Sequence, residues 1–154
     1  MNIISKFTLF RSYILSHLNY CSVIWHFCGT TLSDKLERVQ IRALRAVYVD
    51  YESESCVLLE RANMTTLKDE RVMGIAIMTF QIENNLCPCY LENVITHKEY
   101  RHHLRSGQNC LVLPHMDNTK FGLNSFTYAA PRLWNKIPIN IIDSQTLTSF
   151  KETN

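Results

Sequence analysis

The sequence predicts a mainly α fold: a small helical bundle followed by an irregular C-terminal segment with at most one short strand or hairpin. Three observations predict it. Apolar residues recur at helical spacing through the first 85 residues and lose that period afterwards. Capping residues precede the periodic stretches, and Asn, Gly or Pro follow them. An apolar content of 46% over 154 residues suffices for a core and excludes a chain disordered by composition. The length fits one domain, or a surviving piece of a larger one. The change in periodicity divides it into a helical region, 1–92, and a connector, 93–154.

Residues 3–15 place Ile3, Phe7, Phe10 and Ile14 on one side of an amphipathic helix. Lys6 and Arg11 interrupt the apolar run, so it is neither a transmembrane span nor a signal peptide. Leu18 to Trp25 continues as a second helix, offset near residues 17–19, and Gly29 with Thr30 and Thr31 ends it.

The central helix is expected over residues 34–48. Asp34 can cap its first turn, and Glu37 stands where a capping-box acid reaches back. Leu36, Val39, Ala43 and Val47 form the expected core stripe. Lys35, Arg38, Arg42 and Arg45 fall on a second arc, about 80° wide at about 100° per residue. Such a helix packs with one side and offers cations with the other. A surface helix whose Lys and Arg are merely solvated satisfies the same pattern. The net charge of +2 is too small to argue for nucleic acid by itself. The distribution says more, since Asp50, Glu52, Glu54 and Glu60 cluster after a basic helix.

A short helix is expected over 56–61. Thr66 then opens a long one, with Asp69 as its cap partner. Val72, Ile75, Ala76, Met78, Phe80 and Ile82 supply its apolar side, and Asn84, Asn85 and Pro88 stop it. Residues 97–105 read as a basic loop or short helix. Cys110 to Leu113, with Pro114 behind, reads as a short extended run. Phe121 to Pro138 is dense in aromatic and apolar groups, with Pro131 and Pro138 bracketing a short helix or turn. Trp134 is the expected buried anchor there. Ser144 can cap a final short helix.

Six cysteines with irregular spacing give no secreted disulfide framework, so reduced, mostly buried thiols in an intracellular protein are expected. Cys87 and Cys89 with His97, His102 and His103 match no standard zinc spacing. No metal or other cofactor is expected. Nucleotidyl transfer needs carboxylates converging on two metals roughly 4 Å apart. Here Asp34, Asp50, Asp69, Asp117 and Asp143 are scattered, and the single adjacent acid pair, Asp69 and Glu70, diverges by about 100° on a helix. Gly29, Gly74, Gly107 and Gly122 stand alone, so no phosphate-cradling loop exists.

One ordered series of residues goes further. It comprises Leu18-Asn19-Tyr20-Cys21 with Trp25, then Leu36-Glu37-Arg38-Val39-Gln40 with Arg42, Ala43 and Arg45. Leu67 to Arg71, Leu86-Cys87-Pro88 and Tyr90-Leu91 follow. The series closes with Ser125 to Tyr128, Ala130-Pro131-Arg132-Leu133-Trp134-Asn135, Ile137-Pro138 and Phe150-Lys151. Taken together it resembles the region downstream of the polymerase palm in non-LTR (LINE-type, jockey- and CR1-like) retrotransposon reverse transcriptases, over nearly the whole chain. The resemblance implies an RNA-directed DNA polymerase as the parent protein. It also implies a helical, thumb-like bundle and connector that hold the template–primer duplex.

The chain departs from the family where it matters most. The palm motif would read aromatic-Ala-Asp-Asp, and the nearest stretch, Tyr128-Ala129-Ala130, has neither Asp. The chain alone is therefore expected to be inactive as a polymerase. Its expected partners are an RNA–DNA hybrid or RNA, met by Lys35, Arg38, Arg42 and Arg45, and the palm and fingers of the parent enzyme; no membrane is implied. Arg101, Arg105 and Lys120 are weaker candidates for phosphate contact. The competing expectation is a structural remnant or helical interaction module with no nucleic-acid activity. For Tyr20, Trp25 and Trp134, core packing is expected over base stacking.

Overall fold

A computed structural model describes residues 2–97, 110–115, 119–142 and 146–153. Its regular structure is helical, as expected. Among the described residues the sole β pairing is one antiparallel bridge between His97 and Leu111. The chain forms two compact units, Met1–Val72 and Met73–Asn154. This division follows packing and falls inside a helix, whereas the break in periodicity that suggested residue 92 marks a change of local structure.

In the first unit, α1 (Ile3–Leu9) runs directly into a π-helical stretch, Phe10–Leu15, and then α2 (Ser16–Asn19). The hydroxyls of Thr8 and Ser12 donate back to the carbonyls of Ile4 and Thr8, at 2.9 and 2.7 Å. Such back-bonding loosens the helical ladder. The π turn advances less per residue than an α turn, so positions beyond it rotate off the expected stripe. Phe10 is buried with Phe7 and Leu15 beside it, while Ile3 and Ile14 are exposed. The break before α3 (Ser22–Trp25) falls at Cys21, in the left-handed region, rather than at residues 17–19.

The central helix, α4 (Thr30–Tyr48), begins a turn earlier than expected, capped by the backbone of Gly29. Its buried face is Gln40, Ile41, Leu44 and Val47. The expected stripe is corrected: Val39 is 44% exposed, and Leu36 and Ala43 are half-buried. The reason is tertiary. Gln40 enters the core with its Nε2 donating to the Thr65 carbonyl at 3.3 Å, while its Oε1 is buried without a partner. That orientation carries Ile41 and Leu44 inward against Phe10 and against Leu58 of α5 (Ser55–Ala62).

Left-handed residues stop three helices. Asn63 and Asn85 do so with the side chain best suited to it after Gly. Val49, which ends α4 at φ 56°, does not: its branched Cβ crowds the backbone there, and it is 65% exposed. Val49→Asn is expected to raise stability by about 1 kcal/mol, the cost of a left-handed Cβ-branched residue. Urea denaturation reads this, and an unchanged midpoint would contradict the strain.

The second unit contains most of α6 (Leu67–Glu83) and the remaining helices. These are α7 (Lys120–Leu123), α8 (Phe126–Trp134), α9 (Ile139–Ile142) and α10 (Leu147–Thr153), with a 3-10 stretch at Cys89–Val94. Ile75, Ala76, Phe80 and Ile82 of α6 are buried, whereas Val72 is exposed. Pro131 lies inside α8, not at its boundary, and is itself buried. The Asn135 side chain pairs with the backbone of Leu111 at both groups, Oδ1 accepting at 2.9 Å and Nδ2 donating at 3.0 Å. The Asn135 amide thus pairs with the backbone of Leu111, while the neighbouring Val112 amide donates to the Thr96 carbonyl at 2.8 Å. Thr146 Oγ1 accepts from the Ser149 amide at the start of α10; Ser144, the expected cap, lies outside the described residues.

Candidate nucleic-acid interface

The candidate residues lie on α4. With the buried face set by Gln40, Ile41, Leu44 and Val47, helical geometry puts the basic arc about 140° away from it. Lys35, Arg38 and Arg42 are exposed and Arg45 is half-buried. Arg38 Nε donates to the Asp34 carbonyl at 3.3 Å, and the Arg45 Nε is shut from solvent with no acceptor. Among the described residues none of the four pairs with a carboxylate. By contrast, Arg61 lies 3.9 Å from Asp50 and stacks on Tyr48.

One acid on the same helix, Glu37, is committed elsewhere. Glu37 does not close a capping box on its own helix. Its two carboxylate oxygens accept from the Leu67 and Lys68 amides, at 3.2 and 2.9 Å, at the start of α6. Thr66 completes that cap: its Oγ1 accepts from the Asp69 amide at 3.1 Å and donates to the Asp69 carboxylate at 2.7 Å. A carboxylate at a helix N-terminus meets both unsatisfied N–H groups and the positive end of the dipole. Asp34 caps nothing; it sits exposed in the second turn of α4.

Arg38, Arg42 and Arg45 line a cleft of about 590 Å³ with Lys68 facing it from the start of α6, over an apolar floor of Ile41 and Leu59. The expected arc is thereby divided. Three of its cations reach the cleft, and Lys35 lies outside it. Sequence reasoning missed Lys68. The signal was present in its place two residues after the Thr66 cap, but only the pairing of Glu37 with that cap brings it to α4. Arg101 and Arg105 lie outside the described residues, as does the side chain of Lys120.

The aromatic expectations divide as well. Trp134 is buried. Trp25 is half-buried, its Nε1 donating to the Tyr20 carbonyl at 2.8 Å and its ring 5.4 Å from the Arg71 guanidinium carbon. Tyr20 is 75% exposed, which corrects its assignment to the core. The chain turns sharply at Cys21 just after it, and this points the ring outward. The cysteines are corrected too: Cys21, Cys56 and Cys89 are exposed and Cys28, Cys87 and Cys110 half-buried. Among the described residues no three His, Cys, Asp or Glu side chains gather to hold a metal, and His97 lies 3.3 Å from Glu83. Nor is any described helix long and apolar enough to cross a membrane.

Beside the cleft, burial pushes the Glu70 carboxyl above its ordinary value of 4.5, the Asn19 amide at 2.6 Å opposes this, and the charge of Glu37 adds to it. The native state therefore holds the Glu70 proton more tightly than the unfolded chain does. Its contribution to stability is full below pH 4.5 and is lost as the pH rises through the higher native value. Glu70→Gln keeps an acceptor for Asn19 and is expected to gain on the parent as the pH is raised from acid to neutral. Thermal melts across that range check it; parallel curves for the two proteins would contradict it.

No protein-family model, curated protein or solved structure matches the chain.

Proposed function

We propose that this chain is a duplex-holding, post-palm segment of a non-LTR retrotransposon reverse transcriptase, and that it grips the nucleic-acid backbone through the basic face of α4. Two observations support the reading. The ordered residue series, from Leu36-Glu37-Arg38-Val39-Gln40 to Ala130-Pro131-Arg132-Leu133-Trp134-Asn135, resembles that region. The observation that carries the binding claim is the set of four cations on one helix arc, none of which pairs with a carboxylate among the described residues. Cations on a rigid helix, with no base-reading set among them, suit recognition of backbone and shape. Among the described residues no cluster of His, Cys, Asp or Glu gathers to hold a metal, and the chain alone is expected to extend no primer.

The test is a titration with an RNA–DNA hybrid of two unrelated sequences. Equal affinity for both, falling steeply with salt, is expected. Affinity insensitive to salt would overturn the reading. A second reading, a helical interaction module without nucleic-acid activity, is favoured by one observation. An apolar groove of about 470 Å³ runs between Leu9, Tyr13 and Ile14 and the Ala43–Ala46 side of α4. Absence of any hybrid binding by a folded protein would make this second reading the better one.

A further inference from the structure

The cleft beside α4 has features that a simple solvated basic face does not need. Its lining holds four cations, Arg38, Arg42, Arg45 and Lys68, and two acids, Asp34 and Glu37, a net count of +2. Both oxygens of Glu37 accept from the amides of α6. The buried Arg45 Nε has no acceptor.

The strongest sign lies just beneath. Arg71 is 4% exposed and has no carboxylate partner among the described residues. Its guanidinium donates from Nη2 to Ser33 Oγ at 2.6 Å, lies against the Trp25 ring, and leaves Nη1 buried with no acceptor. A buried guanidinium without a counter-charge is costly, and proteins ordinarily pair it. Ser33 lines the cleft. Because its oxygen accepts from Arg71, its own proton is free to be donated to a ligand there. Ser33 therefore passes the field of a buried cation to the cleft surface.

We infer that this cleft, walled by α4, the start of α5 and the start of α6, is a binding site for a phosphate monoester, the dianion found at a strand terminus or on a free nucleotide. A phosphodiester carries one charge and leaves half of the net count unmatched. The volume of about 590 Å³ exceeds what a bare phosphate fills and lies in the range of small-ligand sites, with Ile41 and Leu59 as apolar floor for an attached nucleoside. Ser55 at the rim opens α5, whose N-terminus no side chain caps. This inference deepens the backbone-binding reading and rests on it for the nucleic-acid partner.

The experiment uses the full chain. Arginine side-chain N–H resonances are followed by NMR while adenosine 5′-monophosphate, adenosine or inorganic phosphate is added. In parallel, anisotropy compares 5′-phosphorylated and 5′-hydroxyl strands of one sequence. The Arg45 and Arg71 signals are expected to shift with the monophosphate and not with adenosine. The phosphorylated strand is expected to bind about tenfold tighter, the worth of one charge-assisted hydrogen bond. Ser33→Ala and Lys68→Gln should each reduce that preference, read as the ratio of the two strand affinities for each variant after circular dichroism has shown it folded; Ser33→Thr, which keeps the hydroxyl for Arg71, should retain the preference. Monophosphate binding without a strand-end preference assigns the site to free nucleotide. No response to the monophosphate, together with equal affinity for both strand ends, overturns the inference, as does a preference that survives both substitutions. The backbone reading fails on a different result: 5′-hydroxyl hybrid binding indifferent to loss of the α4 arginines.

Discussion

Trp134→Ala is expected to cost about 3–5 kcal/mol, the range for emptying a buried aromatic site. Trp134 is 2% exposed, and its ring lies 6.1 Å from that of Phe150, which stacks at 4.6 Å on Phe80. One aromatic run therefore joins α6, α8 and α10 inside the second unit. The effect should spread along that run. With seven residues, α10 is far too short to hold its helix in isolation, so it depends on Phe150 staying packed. Loss of Trp134 should release it, seen as faster hydrogen exchange at the Phe150 amide. The Trp134 Nε1 is buried without a partner, so Trp134→Phe removes an unsatisfied donor and should cost much less than Ala. Circular dichroism in urea measures both variants. A Trp134→Ala protein that unfolds at the parent's midpoint would contradict the packing.

Glu37→Ala is the second large effect, expected at about 2–3 kcal/mol. It strips the acceptor from two helix N–H groups, one of them belonging to the buried Leu67. An unsatisfied buried donor costs about 1–3 kcal/mol, and loss of a carboxylate at a helix N-terminus adds about 0.3–1 kcal/mol. Glu37→Gln retains one acceptor and no charge, and should fall between parent and Ala. The substitution separates fold from binding. It also removes a negative charge next to Arg38 and Arg42, so hybrid affinity should rise or hold while stability drops. Destabilisation below about 0.5 kcal/mol, the level of an ordinary surface change, would show that Glu37 is not the cap of α6.

Much of the fold was legible where chemistry is local. Thr66 and Asp69 mark the start of α6, Asn85 marks its stop, and the aromatic density around Trp134 marks a core. What failed depends on distant partners. The phase of α4 was misread because Leu36, Val39, Ala43 and Val47 form a plausible stripe. Burial of Gln40 is decided by the carbonyl of Thr65, twenty-five positions away. Glu37 imitated a local capping box with Asp34 and instead caps a helix thirty residues on. The basic arc was readable from spacing alone. Lys68 and the buried Arg71 were not, because tertiary packing brings them to α4.

The account stands on the basic face of α4, and one measurement tests it most directly. Hybrid affinity is followed against salt for the parent and for the Arg38→Gln, Arg42→Gln, Arg45→Gln triple variant. Gln keeps helix propensity, and these positions lie away from the core face, so the variant should fold. Three lost phosphate contacts should flatten the log–log salt slope by about 2.7 and lower affinity about 100-fold near 0.15 M salt. The loss should be the same for every sequence, because phosphate contacts carry no base information. A folded triple variant with the parent's affinity and slope would show that these arginines are only solvated, and the proposed interface would be wrong.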